Sequence, residues 1–272
     1  MSAKTASGIE RIAAAFAASD RRAALMPYLM GGFPTLERSV EIGGAYVGAG
    51  VELIELGVPY SDPLADGPVI HAAGTQALAH GATLAGVLEV ARTLSVSVPV
   101  VLMCYANMVL APGAEAFVER LARTGACGLI VPDLPVGEAP EVLEACDAHG
   151  LALVPLVAPT TTPERLALIG RQARGFLYTV SVVGTTGERE ALADRFAEVV
   201  ARAKASTAVP VALGFGIGTP EQARMAADAG ADGVIVGTRL VRAASEAPED
   251  PAGAVSAVLE GLAAALENPP AR

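Results

Sequence analysis

The chain has no tryptophan, and only 6 phenylalanines and 5 tyrosines among its 272 residues. Its core must be built from alanine, valine, leucine and glycine. That profile suits parallel strands buried on both faces, with small residues where helices come close. Cysteine is also scarce: Cys104, Cys127 and Cys146 are odd in number and form no CxxC pair. Two of them lie in apolar, strand-like runs. Buried free thiols in a reducing compartment fit this pattern better than a disulfide framework or a thiolate metal site. His71, His80 and His149 fall in no HExxH or other ligand spacing, so no metal centre is expected. Positive charge is short too, with 19 Lys and Arg against 29 Asp and Glu and a net charge of −10. A nucleic-acid binder needs the opposite balance or a basic stripe, whereas here Arg21-Arg22 is isolated and the other cations are scattered. The first residues lack a basic segment followed by an apolar core, which argues against a secretory signal. Residues 93–114 carry no charge, but Pro99, Asn107 and Pro112 interrupt them and their middle reads as an ordinary strand, not a membrane span. A soluble, cytoplasmic protein is expected.

Hydrophobic residues make up 52% and charged residues 18%, enough to bury a sizeable core and to exclude global disorder. No linker or compositional break divides residues 1–272, which read as one domain. Residues 7–19 form a short helix with Ile9, Ile12 and Phe16 on one face. A pattern of apolar run, Gly/Pro loop and alanine-rich helix then repeats. The runs are 25–30, 51–58, 98–105, 127–131, 151–158, 176–182, 209–215 and 233–236. Thr162-Pro163-Glu164 and Thr219-Pro220-Glu221-Gln222 carry helix-start signals, the second with a capping-box glutamine. Gly125, Gly150 and Gly230 fall where helices end before the next strand. Eight βα units in this length predict a closed (β/α)8 TIM barrel with an extra N-terminal helix, and an open doubly wound sheet is the alternative. The last helix is expected over 254–266.

Two regions carry chemistry. Residues 52–68, ELIELGVPYSDPLADGP, begin as a strand and end in a loop held by Pro59, Pro63 and Pro68. Val51, Leu53 and Glu55 share one face of a period-two strand. An acid on such an apolar row is costly unless it is paired or used. With Asp66 it makes either a reacting pair or a loop-anchoring one. The barrel rule puts Glu55, Asp66, Tyr105, Asp133 and Tyr178 at the mouth formed by the strands' C-terminal ends, and it puts Glu52 at the opposite end in a structural role. The second region is glycine-rich: Gly184–Gly187 after the sixth run, Gly214–Gly218 after the seventh, and Gly237-Thr238 after the eighth, where a short extra helix begins. Exposed amides there make an anion site; the alternative is that they only turn tightly. GFGIG lacks the GxGxxG spacing and a following acid, and no P-loop is present. Without a metal cluster, a nucleophilic Ser/His pair or a well-placed lysine, acid/base chemistry on a phosphate ester remains.

ELGVPYSDPLADGP, residues 55–68, resembles the signature loop of tryptophan synthase alpha subunits. The likeness continues through Met103-Cys104-Tyr105-Ala106-Asn107, Val131-Pro132-Asp133-Leu134-Pro135, Gly214-Phe215-Gly216-Ile217 and residues 233–238, in order along almost the whole chain. It implies a barrel lyase that splits indole-3-glycerol phosphate into indole and glyceraldehyde 3-phosphate by a retro-aldol step. It also implies no cofactor in this chain, because pyridoxal phosphate belongs to the beta subunit, the partner in an allosteric αββα heterotetramer. Carried over by position, Glu55 is the general acid/base and Asp66 holds the indole N–H. Tyr28, Tyr105, Tyr178 and Thr186 contact substrate, and Gly187, Gly216, Gly237 and Thr238 hold its phosphate. Thr186 belongs to a lid over 185–189, and Pro59 and Asp62 face the beta subunit. Tyr28 stands where phenylalanine is frequent, Phe33 where an acid is frequent, and Thr238 where serine is. Val182-Val183 is less polar than its counterpart in some members. A phosphate-sugar isomerase, or a barrel that only activates a partner, are the competing functions.

Overall fold

The computed structural model describes residues 6–180 and 189–268. Among these, nine strands form one all-parallel sheet: β1 (Ala24–Met30), β2 (Ile54–Gly57), β3 (Val100–Met103), β4 (Gly128–Ile130), β5 (Ala152–Leu153), β6 (Leu156–Val157), β7 (Leu177–Val180), β8 (Val211–Gly214) and β9 (Gly233–Val236). Their order is β5-β4-β3-β2-β1-β9-β8-β7-β6. The two end strands are neighbours in sequence, because the fifth predicted run is cut at Val154-Pro155. Proline has no N–H for the ladder. The chain still bridges the gap: Val154 N donates to Leu129 O at 2.9 Å, and Tyr178 N donates to Pro155 O at 3.0 Å. One extended run therefore pairs with both sheet ends. The sheet closes as a (β/α)8 barrel, and the open alternative is set aside.

Helices cover the outside: α1 (Gly8–Ala18), α2 (Leu36–Gly48), α3 (Pro68–Ala79), α4 (Leu84–Leu94), α5 (Ala106–Leu110), α6 (Ala114–Ala122), α7 (Pro140–Ala148), α8 (Pro163–Gln172), α9 (Arg189–Lys204), α10 (Pro220–Asp228), α11 (Thr238–Glu246) and α12 (Pro251–Leu266). Their ends follow the sequence signals. Thr162 caps α8, and Thr219 with Gln222 forms a full capping box on α10. The expected last helix is α12, and the expected short helix after the final strand is α11. The uncharged stretch 93–114 folds through β3 and α5, and among the described residues no helix is long and apolar enough to cross a membrane.

Period-two alternation sorts the strand residues into two layers. Met26, Leu53, Val101, Ala152, Val154, Phe176, Ala212 and Ile235 point inward and fill the barrel. Leu25, Ile54, Leu56, Val100, Leu102, Leu213 and Val234 point outward under the helices. Val51 belongs to the outer layer. It was expected on the inward row with Leu53 and Glu55, but the chain bends at Glu52, so the period that Leu53 shares with β2 does not extend back to it. Ile9, Ile12 and Phe16 of α1 pack on the inner layer and plug the bottom. A Cβ on Gly233 would lie 2.6 Å from Met26 Sδ and 3.1 Å from the Phe16 ring, so this close approach excludes a side chain. Arg11 fixes α1 by donating to Gly125 O and Ser95 O, both at 2.7 Å. Glu52 is structural at the same end. It accepts from Leu25 N at 2.7 Å and pairs with Arg21 at 2.6 Å. Cys104, Cys127 and Cys146 are free and buried.

Candidate active site

A closed bottom leaves the barrel accessible at the C-terminal ends of its strands, where a cavity of about 440 Å³ opens. In β2 the inward alternation that buries Leu53 brings Glu55 to the cavity floor. Its register partners are Tyr28 in β1 and Val101 in β3. Apolar walls come from Ile70, Met103, Phe215, Ile217 and Ile235. Asp66 reaches the cavity from the loop that joins β2 to α3, and Tyr178 from β7. The rest of the lining comes from Gly216 to Thr219 after β8 and from Gly237, Thr238, Arg239 and Arg242 after β9.

Glu55 is 2% exposed, and its Oε2 has no hydrogen-bond partner among the described residues. Burial, and secondly the charge of Asp66, push its carboxyl up to about 8, opposed by the Tyr178 hydroxyl. The group is therefore a neutral acid near pH 7, poised to donate a proton. Asp66 is also raised by burial, but the Tyr105 hydroxyl and the nearby His71 hold it down. The two acids thus have unequal environments, one dry and one with polar partners, the kind of difference that lets two carboxyls take different roles.

Tyr105 does not line the cavity. Its ring stacks on Tyr60, with centroids 4.9 Å apart, and its hydroxyl accepts from Ala65 N at 3.0 Å while standing beside Asp66. Asp133 is not among the cavity-lining residues either: it accepts from Ala106 N at 2.8 Å and so anchors the start of α5. Pro59 is buried in its loop, and Asp62 is exposed. Thr186 and Gly187 lie outside the described residues. The other expected contacts, Tyr28, Tyr178, Gly216, Gly237 and Thr238, share the one cavity with Glu55 and Asp66. Met103 and Ile235 were not singled out from sequence, although their inward strand positions would have found them. Arg239 and Arg242 were also missed, and their spacing along the helix after Gly237 was the available signal.

The glycine end is shaped by backbone conformation. Phe215 and Gly216 are successive left-handed residues, at φ 65° and 84°. Glycine takes this conformation freely, while for phenylalanine it costs about 1–3 kcal/mol, a strain typical of functional turns. Gly237 precedes α11 without any side-chain cap. The positive end of that helix therefore meets the cavity, an arrangement suited to an anion. Among the described residues no group of three or more His, Cys, Asp or Glu is placed to hold a metal ion.

The Glu55 environment has a consequence for stability. A free glutamate releases its proton near 4.5, and the buried one near 8. Between these values the folded chain holds more protons than the unfolded one. Raising pH through that window therefore removes stability, by up to about 1.4 kcal/mol per pH unit. Glu55→Gln does not titrate. In urea unfolding, wild type should match its own low-pH offset from the variant below pH 4.5 and lose ground steadily toward pH 8. An offset independent of pH would contradict the burial argument.

A family profile described as "Tryptophan synthase alpha chain" matches residues 15–268. A tryptophan synthase alpha chain from Gloeobacter violaceus is 46% identical over 267 residues, covering 96% of this chain and 97% of its own. One from Prochlorococcus marinus is 49% identical over 233 residues, 85% of each. Among solved structures, the open form of tryptophan synthase from M. tuberculosis with BRD0059 bound superposes with a TM-score of 0.86 at 38% identity, covering 95% of this chain and 99% of that one. Tryptophan synthase subunit alpha from Legionella pneumophila gives 0.87 at 36% identity, with 95% and 99% covered.

Proposed function

The chain belongs to the family of tryptophan synthase alpha chains, the lyase subunit that cleaves indole-3-glycerol phosphate in tryptophan biosynthesis, and we propose that Glu55 and Asp66 carry out the cleavage here. One observation carries the assignment: a buried carboxyl pushed up to about 8 shares a cavity of about 440 Å³ with a second acid held in a more polar setting.

Cleavage needs a proton on the indole carbon that bears the glycerol chain. Protonated Glu55 donates it, and the ring becomes an indolenine cation whose N–H is held by the Asp66 carboxylate. The new Glu55 carboxylate then takes the proton of the adjacent side-chain hydroxyl. The C–C bond breaks, its electron pair returns to the ring, indole leaves, and the three-carbon fragment becomes an aldehyde. The proton is back on Glu55, so the cycle closes without a redox partner. Tyr28 and Tyr178 flank the ring at the cavity floor. Gly216, Gly237 and Thr238 bind the phosphate in this reading, and the family resemblance adds Gly187 to the phosphate contacts and Thr186 to the substrate contacts.

Tyr105 acts through Asp66. Tyr105→Phe removes one hydrogen bond to a charged group, worth about 1.5 kcal/mol, and should lower kcat/KM about tenfold while the fold is kept. Steady-state kinetics with indole-3-glycerol phosphate checks this, and an unchanged kcat/KM would remove the positioning role.

The partner in this proposal is a tryptophan synthase beta chain, joined in an αββα tetramer in the cytoplasm, with Asp62 on the shared face and Pro59 shaping its loop. Pyridoxal phosphate is that chain's cofactor, and the steps above use none. Residues 1–272 act as one domain. The test is equimolar indole and glyceraldehyde 3-phosphate from the isolated chain, enhanced when a beta chain is added. No product under either condition would refute the proposal, and product without enhancement would refute the coupling.

A further inference from the structure

The cavity that holds the two acids is also lined by two cations that the mechanism above leaves without a role. Arg239 and Arg242 line it, and no other Lys or Arg among the described residues does. They are three residues apart on α11 and so share one face of that helix. Other arginines of the barrel are tied down: Arg21 pairs with Glu52 at 2.6 Å, and Arg165 donates to Val136 O at 2.6 Å. Arg239 and Arg242 have no hydrogen bond or ion pair with a described residue. Arg239 is half-buried and Arg242 is exposed. The Cβ of Arg239 lies 3.6 Å from where a Cβ on Gly218 would sit. Arg239 thus starts beside the 215–218 turn, and it borders both the cavity and a shallower hollow shared with Glu246 and α12.

The local electrostatics give this side chain a task. The chain has a net charge of −10, and its cavity already contains Glu55 and Asp66. A phosphate ester brings about −1.5 to −2 more. Backbone amides and a helix end offer only partial charges against this, whereas a guanidinium offers a full charge and a fork of donors matched to phosphate oxygens. We propose that Arg239 is a specificity-determining side chain of this enzyme, donating charge-assisted hydrogen bonds to the substrate phosphate. Arg242, farther out, draws the anion toward the mouth. The assignment rests on the phosphate placement proposed above. It adds a side-chain contact to a cradle otherwise made of backbone and one threonine, and it favours the dianionic ester over an uncharged indole-glycerol analogue.

Calorimetric titration of the full chain with sn-glycerol 3-phosphate, near neutral pH and at low and high salt, tests it. Arg239→Ala should weaken binding about 10- to 100-fold, as expected for a lost hydrogen bond between charged groups, and should flatten the salt dependence. Arg239→Lys should recover part of the affinity, since it keeps the charge but not the fork. Arg239→Gln repeats the test with a neutral side chain that keeps part of the arginine stem's packing should the alanine variant unfold. Wild-type affinity in both neutral variants would overturn the role of Arg239 and leave the phosphate cradle standing. Absence of binding to wild type would overturn the phosphate placement itself, and this proposal with it.

Discussion

Glu55→Gln should lower indole release by about 10²- to 10⁴-fold, the usual contribution of a positioned acid/base group. Glutamine keeps the volume and the hydrogen-bonding ends of the side chain but has no proton to give. The fold should survive, and the variant should be the more stable protein at pH 8, because it removes an acid that burial makes costly to ionise. Loss of activity with equal or greater stability is the pairing that separates catalysis from structure. A merely structural Glu55 would give the reverse: little change in turnover and a loss of stability. Steady-state release of indole, together with urea unfolding at two pH values, measures both.

Asp66→Asn should cost about 10²- to 10³-fold in kcat, the scale for removing one preorganised electrostatic partner of a developing charge. It should also leave a second signature. The Asp66 charge is the second cause, after burial, of the raised Glu55 carboxyl. Neutralising it lowers the Glu55 value, so the alkaline fall in rate should move to lower pH. Glu55→Gln should abolish that limb. A variant at Asp66 with an unmoved limb would show that the two acids do not sense each other.

Much of this site was legible in the sequence because its signals are local. An acid two residues beyond Leu53, near the end of an apolar run, had to end up inside a closed barrel at its open end. The spacing of Ile9, Ile12 and Phe16 marked a helix with one buried face, and that face became the plug. Glu52, one turn of the pleat before Ile54, fell at the bottom as the barrel rule required. What escaped was set by tertiary approach. Asp133 does lie at the strands' C-terminal ends, where it accepts from the amide of Ala106, a contact between two loops that no periodicity encodes. Tyr105 was expected to contact substrate; its stacking on Tyr60 and its hydrogen bond from Ala65 N come from the fold of the 59–67 loop and could not be read from spacing. Val51 was assigned inward because the strand's start was not marked. The cut in the fifth strand was visible as Pro155, but its two-sided pairing follows from barrel closure. Arg239 and Arg242 looked like ordinary surface charges until α11 was seen to begin at the cavity.

The central claim is that Glu55 carries a proton near neutral pH. Carbon-13 NMR titration of protein labelled at glutamate side-chain carboxyls, wild type against Glu55→Gln, measures this directly. One resonance with a midpoint near 8 that is missing from the variant is the predicted result. A spectrum in which every glutamate titrates within the ordinary range of about 3–5 would contradict it, because Glu55 would then be a carboxylate with no proton to donate.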